Sequence, residues 1–302
     1  MKDFISVNQL DENRFYQIYE IFKDYRERYR NGQTKFEDLR GYSVLLPFFE
    51  NSTRTRTSFE LAGKILGADT INISGSSSSV KKGETLYDTI KTLEAMQSDF
   101  IVMRHYMSGA SHIVAKKVKS KVINAGDGTN EHPSQAVLDA ITILEEKGKI
   151  EGLKIAIIGD ILHSRVARSQ IKLFHMLGAE ITLCGPQTML PRHMEQFEVD
   201  FITTDVNDAL KDKDVAVFLR IQLERQKKVF FSTLNEYSIK YGLNQERIHL
   251  LKEDAIIMHP GPVNRGVEIQ SELVYGTRTV ILEQVENGLF TRMAIYKFLL
   301  NQ

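Results

Sequence analysis

Val44-Leu45-Leu46-Pro47-Phe48-Phe49-Glu50-Asn51-Ser52-Thr53-Arg54-Thr55-Arg56 is the stretch whose reading decides the fold. A short apolar run with β-favouring residues feeds directly into a polar turn. After the turn, Phe59, Ala62 and Ile65-Leu66 recur at three-to-four spacing, the period of one helix face. The stretch reads as strand, turn, helix.

The same alternation extends outward on both sides. Upstream, residues 13–29 mix aromatic and charged residues at helical spacing, and Asn31-Gly32 supplies a stop. Downstream, Thr70 to Ile73 reads as a strand, Leu86, Ile90, Leu93 and Met96 as a helix face, and Phe100 to Met103 as a strand. Val122 to Ala125 is a further strand, followed by a helix carrying Ala136, Val137, Ala140, Ile141 and Leu144. Repeated β-then-α units predict a parallel sheet covered on both faces.

The polar break Glu145-Glu146-Lys147-Gly148-Lys149 then ends one series and opens another. Its strands are expected at Leu153 to Ile158, Glu180 to Leu183, Val215 to Leu219, Ala255 to Met258 and, last, Thr279 to Leu282. The expectation is an α/β chain of two domains, 1–147 and 148–283, each a parallel β-sheet flanked by helices. A C-terminal helix over 284–302 shows Val285, Leu289, Met293, Tyr296 and Leu299 on one side, which would pack back on the first domain.

Composition narrows the partners. Lys+Arg and Asp+Glu are equal at 39 each, so no broad positive field invites nucleic acid. The single cysteine, Cys184, cannot form an internal disulfide or a cysteine cluster for zinc. It suits a reducing cytoplasm and reads as a small buried residue. No basic-then-apolar leader begins the chain and no run approaches about 18 apolar residues, so no membrane insertion is expected. Nucleotide and metal signatures of the types Gly-x-x-x-x-Gly-Lys-Ser/Thr, Gly-x-Gly-x-x-Gly and His-Glu-x-x-His are missing, and neither cofactor nor metal is expected.

In open parallel sheets, ligands gather at the carboxyl ends of strands. Ser52-Thr53-Arg54-Thr55-Arg56 lies at such an end, where hydroxyls, free backbone N–H groups and two guanidiniums converge on what would be an anion, most simply a phosphate. An ordinary Ser or Thr cap is the plain alternative. Two arginines in a first helical turn oppose the helix dipole unless an anion is present, which favours the anion site. Arg104 follows the strand ending at Met103, Arg220 follows the one ending at Leu219, and Arg165 sits in a strand-to-helix turn. Three such arginines suggest recognition of an acidic small molecule. His132 and Gln135 are three apart at a helix start marked by Pro133. His132 taken alone is more often a packed or capping histidine, and Pro260-Gly261-Pro262 taken alone is a turn.

Taken in order, Ser52-Thr53-Arg54-Thr55-Arg56, Lys81-Lys82-Gly83-Glu84, Arg104, His132-Pro133-Ser134-Gln135, Arg165, Arg220-Ile221-Gln222 and His259-Pro260-Gly261-Pro262 resemble the motif series of the aspartate carbamoyltransferase family. The resemblance implies transfer of the carbamoyl group of carbamoyl phosphate to the α-amino group of L-aspartate, in pyrimidine biosynthesis. It also implies that Ser52, Thr53, Arg54, Thr55 and Ser78 hold the phosphate, and that Thr55, Arg104 and His132 surround the carbonyl oxygen. Gln135 and the main chain at Gly261 and Pro262 would hold the carbamoyl amide, while Arg165, Arg220 and Gln222 would hold aspartate. Lys82, on the serine-rich loop, would serve a neighbouring subunit's site, so a homotrimer with shared sites is implied.

Gly261 departs from the leucine that many members carry between the two prolines, and Arg265 receives no role. Regulatory subunits or other pyrimidine-pathway enzymes are left open as partners. Two rivals stand beside this reading: transfer to ornithine, whose cationic end two arginines would repel, and a catalytically silent homologue serving as a binding subunit.

Overall fold

The computed structural model describes residues 1–74, 84–191, 193, 197–221 and 233–302. The chain divides into two compact units, Met1–Leu138 with Glu286–Gln302, and Asp139–Val285. The expected division after residue 147 differs from this one, which falls inside the helix Pro133–Lys147. The second half of that helix carries Asp139, whose carboxylate is tied to Gln170 and Gln284 of the second unit.

In the first unit, α1 (Glu12–Arg30) is capped by Asp11, whose side chain accepts from the Arg14 N–H. The sheet is built from β1 (Ser43–Phe48), β2 (Asp69–Ser74), β3 (Phe100–His105) and β4 (Lys121–Asp127). They lie in the order β2-β1-β3-β4, all parallel. Parallel strands require crossovers, supplied here by α2 (Thr53–Ile65), α3 (Leu86–Ala95) and the short α4 (Ala110–Ala115). Ile90, Ile101, Met103, Val114 and Val122 share one buried cluster.

The N-terminal residues extend this sheet. Phe4 bridges to Ile123 beside β4, with the Phe4 N–H donating to the Val122 carbonyl at 2.8 Å.

The C-terminal helix α9 (Ile281–Leu300) returns to the first unit as expected. Tyr296 is fully buried, edge-on to Phe59 and Phe100 at ring separations of 5.8 and 5.4 Å. Phe290 meets Phe22 and Tyr29 at 6.4 and 5.4 Å. Such aromatic pairs add about 1 kcal/mol each beyond area burial.

After α5 (Pro133–Lys147), the second unit holds β5 (Lys154–Ile158), β6 (Glu180–Cys184), β7 (Phe201–Thr203), β8 (Val215–Phe218) and β9 (Ile256–Met258). Their order is β7-β6-β5-β8-β9, again parallel. Helices α6 (Arg165–Met176), α7 (Val206–Leu210) and α8 (Leu234–Tyr241) complete it. Cys184 is buried at the end of β6, and burial pushes its thiol up to about 12.

The expected last strand, Thr279 to Leu282, is corrected. Thr279 makes only an isolated bridge to Ile257, and α9 begins at Ile281. Two β-branched residues, Val280 and Ile281, mimic a strand, but the Val280 carbonyl accepts the N–H of Gln284 and starts the helical ladder.

Candidate active site

Each sheet has one place where strand order reverses. In the first it lies between β1 and β3, in the second between β5 and β8. Connections there leave in opposite directions, so the strand ends stand open to a ligand. The arginine-bearing turns of the sequence sit at these positions: Ser52 to Arg56 after β1, Arg104 near the end of β3, Gly159 to Arg165 after β5, and Arg220 after β8.

At the first reversal, Ser52 is the N-cap of α2 with extended backbone, yet its hydroxyl makes no capping hydrogen bond. The cap reading of this serine is therefore not realised. The first-turn N–H groups receive no acceptor from it, and Arg54 is exposed beside them. Thr55 turns inward and is buried, with Oγ1 3.5 Å from Nε2 of His132. On its other side His132 has the Ser134 hydroxyl 3.5 Å from Nδ1. Gln135 is also buried, in the first turn of α5, and its N–H bonds to the His132 carbonyl at 3.0 Å.

Arg104 lies across from Phe48 in the sheet register. Its Nη1 donates to the Ala125 carbonyl at 3.3 Å, and its Nε lies 3.4 Å from Glu50. The guanidinium is thus anchored between the ends of β1 and β4. Neighbouring His105 is buried, accepts the Met107 N–H at Nδ1 at 3.0 Å and stacks on Tyr106. Burial pushes its imidazole below the ordinary value, opposed by nearby Glu50 and Asp127.

Two carboxylates that the sequence reading passed over hold the loop before His132. Asp127, fully buried, accepts from Asn124 Nδ2 at 2.9 Å, the Gly109 N–H at 2.6 Å, the Glu131 N–H at 3.1 Å and Asn130 Nδ2 at 3.1 Å. Glu131 accepts the Ser6 hydroxyl at 2.7 Å and the Val7 N–H at 2.8 Å. A buried carboxylate persists only when so satisfied. Asn124, Asn130 and Glu131 lie within four residues of Asp127, whereas Gly109 and the Ser6 and Val7 partners of Glu131 are distant in sequence.

At the second reversal, Arg165 is buried as the first residue of α6, behind the Ser164 cap that accepts the Ala167 N–H at 3.1 Å. Arg220 follows β8, and the next N–H, that of Ile221, donates to Glu268 at 2.8 Å. Glu268, without exposure, also accepts the Asn264 N–H and Nδ2, each at 2.7 Å. Gly261 has φ of 66° and a cis bond to Pro262, with its N–H donating to His259 Nδ1 at 2.8 Å.

The geometry thus gathers Ser52, Thr53, Arg54, Thr55, Arg104, His132 and Gln135 at strand ends of the first unit, and Arg165, Arg220, Gly261 and Pro262 at strand ends of the second. Ser78, Lys82 and Gln222 lie outside the described residues. Among the described residues, no group of three or more His, Cys, Asp or Glu side chains could hold a metal ion, and no helix is long and apolar enough to cross a membrane.

The family described as "Aspartate/ornithine carbamoyltransferase, carbamoyl-P binding domain" matches residues 2–145, and the one described as "Aspartate/ornithine carbamoyltransferase, Asp/Orn binding domain" matches residues 151–299. The aspartate carbamoyltransferase catalytic subunit of Ruminiclostridium cellulolyticum is 53% identical, over 97% of this chain and 94% of its own. That of Caldicellulosiruptor bescii is 49% identical, over 98% and 96%.

Among solved structures, aspartate transcarbamoylase from Trypanosoma cruzi in complex with carbamoyl phosphate and aspartate has a TM-score of 0.88 at 30% identity, covering 98% of this chain and 96% of its own. Ornithine carbamoyltransferase from Pyrococcus furiosus has a TM-score of 0.86 at 26% identity, covering 98% and 96%. One fold carries both acceptor specificities, so the backbone alone does not choose between them, whereas the two relatives named above, near half identity, carry the aspartate name. Matched along nearly its whole length and by relatives of this identity, the chain belongs to the aspartate/ornithine carbamoyltransferase family.

Proposed function

We propose that the chain transfers the carbamoyl group of carbamoyl phosphate to the α-amino group of L-aspartate, giving N-carbamoyl-L-aspartate and phosphate, an early step of pyrimidine biosynthesis. The observation that carries this reading is the set of Thr55, Arg104 and His132 at the ends of adjacent strands, with Thr55 and His132 3.5 Å apart. The amine nitrogen attacks the carbonyl carbon and a C–N bond forms. Negative charge builds on the carbonyl oxygen, and the C–O bond to phosphate then breaks as the amine sheds its proton. Donors fixed beforehand around that oxygen stabilise the tetrahedral species by about 3 to 4 kcal/mol each.

In this reading the first unit serves the donor. Ser52, Thr53, Arg54 and Thr55 hold the phosphate at the uncapped start of α2, where the N–H groups and dipole favour an anion, and Gln135 holds the carbamoyl amide together with the main chain of Gly261 and Pro262. The second unit serves the acceptor. Arg165 and Arg220 pair with the two carboxylates of aspartate, and the same charges disfavour the ammonium of ornithine. Gln222, Ser78 and Lys82 are assigned by family resemblance alone, the last two to a neighbouring site in a homotrimer. A sedimenting mass three times the chain's 34.5 kDa is expected, and a monomer would contradict shared sites. A buried lone cysteine fits a cytoplasmic setting.

The test is a bisubstrate compound that joins a phosphonate to an aspartate moiety, of the kind bound in a Trypanosoma cruzi structure. It should raise the melting temperature and compete with carbamoyl phosphate. A compound that neither stabilises the chain nor inhibits it would contradict the reading.

A further inference from the structure

We propose that Asp139 is a positioning residue for the His259–Pro262 turn, acting through Gln284. This rests on the functional reading above, in which main-chain groups of that turn hold the carbamoyl amide.

Asp139 lies in α5 with no exposed surface. Both of its carboxylate oxygens are satisfied by side-chain amides: Gln170 Nε2 donates to Oδ2 at 2.7 Å, and Gln284 Nε2 donates to Oδ1 at 2.7 Å. Gln170 and Gln284 are themselves buried, so these are charge-assisted bonds in a medium that strengthens them.

The consequence is directional. A carboxylate accepts and cannot donate, so Gln284 must present its nitrogen to Asp139 and its oxygen away from it. That oxygen accepts the His259 N–H at 2.9 Å. His259 is the first residue beyond β9, where the sheet ladder stops serving the backbone. Its ring nitrogen Nδ1 in turn accepts the N–H of Gly261. A relay therefore runs from Asp139 through the Gln284 amide and the His259 backbone and ring to Gly261. An uncharged amide at position 139 would permit either orientation of Gln284, and the wrong one aims a donor at the His259 N–H. The charge at position 139 thus selects one geometry of the turn, beyond filling space.

The relay can be reversed chemically. In the pair Asp139→Asn with Gln284→Glu, the introduced amide nitrogen donates to the introduced carboxylate, which still accepts the His259 N–H. The introduced amide oxygen still accepts from Gln170. Charge and bond count are kept. Steady-state kinetics of the full chain, with carbamoyl phosphate and aspartate each varied, should show kcat/KM for carbamoyl phosphate falling about tenfold or more in Asp139→Asn and in Gln284→Glu, as expected for a lost buried charge-assisted bond. The double variant should return to within about threefold of wild type, since coupled residues are non-additive. The aspartate KM at saturating carbamoyl phosphate should change little in all three.

Melting temperatures separate positioning from mere support. If the single variants melt earlier yet keep wild-type kcat/KM below melting, or if a folded double variant is no better than the singles, the proposal is overturned. A wild-type chain that forms no carbamoylaspartate overturns the functional reading itself, and is told apart from these outcomes by that control.

Discussion

Thr55 Oγ1 and His132 Nε2, 77 positions apart in sequence, stand 3.5 Å from one another where the ends of β1 and β4 flank β3. That distance is at the outer edge of hydrogen bonding. A substrate oxygen could draw both groups toward itself, and catalytic contacts commonly tighten only on binding.

The first prediction concerns this site. Arg54→Ala and His132→Ala should each lower carbamoylaspartate formation by about 10² to 10³. Arg54 is exposed, so the melting temperature of its variant should match wild type. Product formation at saturating substrates checks it, and wild-type turnover in both variants would remove them from the mechanism.

The second concerns Asp127. Replacing it with Ala takes their Asp127 acceptor from the Gly109 and Glu131 N–H groups and the Asn130 amide, and leaves the Asn124 amide only its bond to the Ile5 carbonyl. Removing a buried charged partner costs about 3 kcal/mol or more. Urea unfolding should show a shifted midpoint, and activity should fall because the segment that presents His132 loses its anchor. An unchanged midpoint would mean that the network does not hold the loop.

The third is a pH dependence. Burial keeps His105 below its ordinary pKa of 6.5, so the unfolded chain takes up a proton at higher pH than the folded one. Stability from this group is therefore complete above about pH 6.5 and declines as pH falls toward the lowered folded value. Thermal midpoints of wild type should drop through this range more steeply than those of His105→Asn, which keeps an acceptor without a titrating ring. Parallel curves for the two proteins would rule His105 out as a source of the decline.

Much of this was legible in the sequence, for a physical reason. Strands buried on both faces, such as Phe100 to Met103, are continuous apolar runs, and the arginines that follow them stand out by contrast. Ser52 to Arg56 was readable because cations in a first turn conflict with the dipole. The three-residue strand Phe201–Thr203 is mostly exposed and offers no such run, and the six-residue α4 is too short to show a period. Thr279 to Leu282 misled because β-branched residues also occupy helix starts when tertiary packing demands it. The long-range bonds of Asp127, Glu131, Asp139 and Glu268, to Gly109, Ser6, Gln284 and Ile221 among others, gave no signal in the sequence, because a supporting hydrogen bond between distant residues exists only after folding.

Turnover of carbamoyl phosphate by the purified chain, measured side by side with aspartate and with ornithine as acceptor, tests the central claim most directly. Carbamoylaspartate should form, with ornithine giving little or no product. Faster product formation from ornithine would contradict the assignment of Arg165 and Arg220 to the carboxylates of aspartate and, with it, the proposed function.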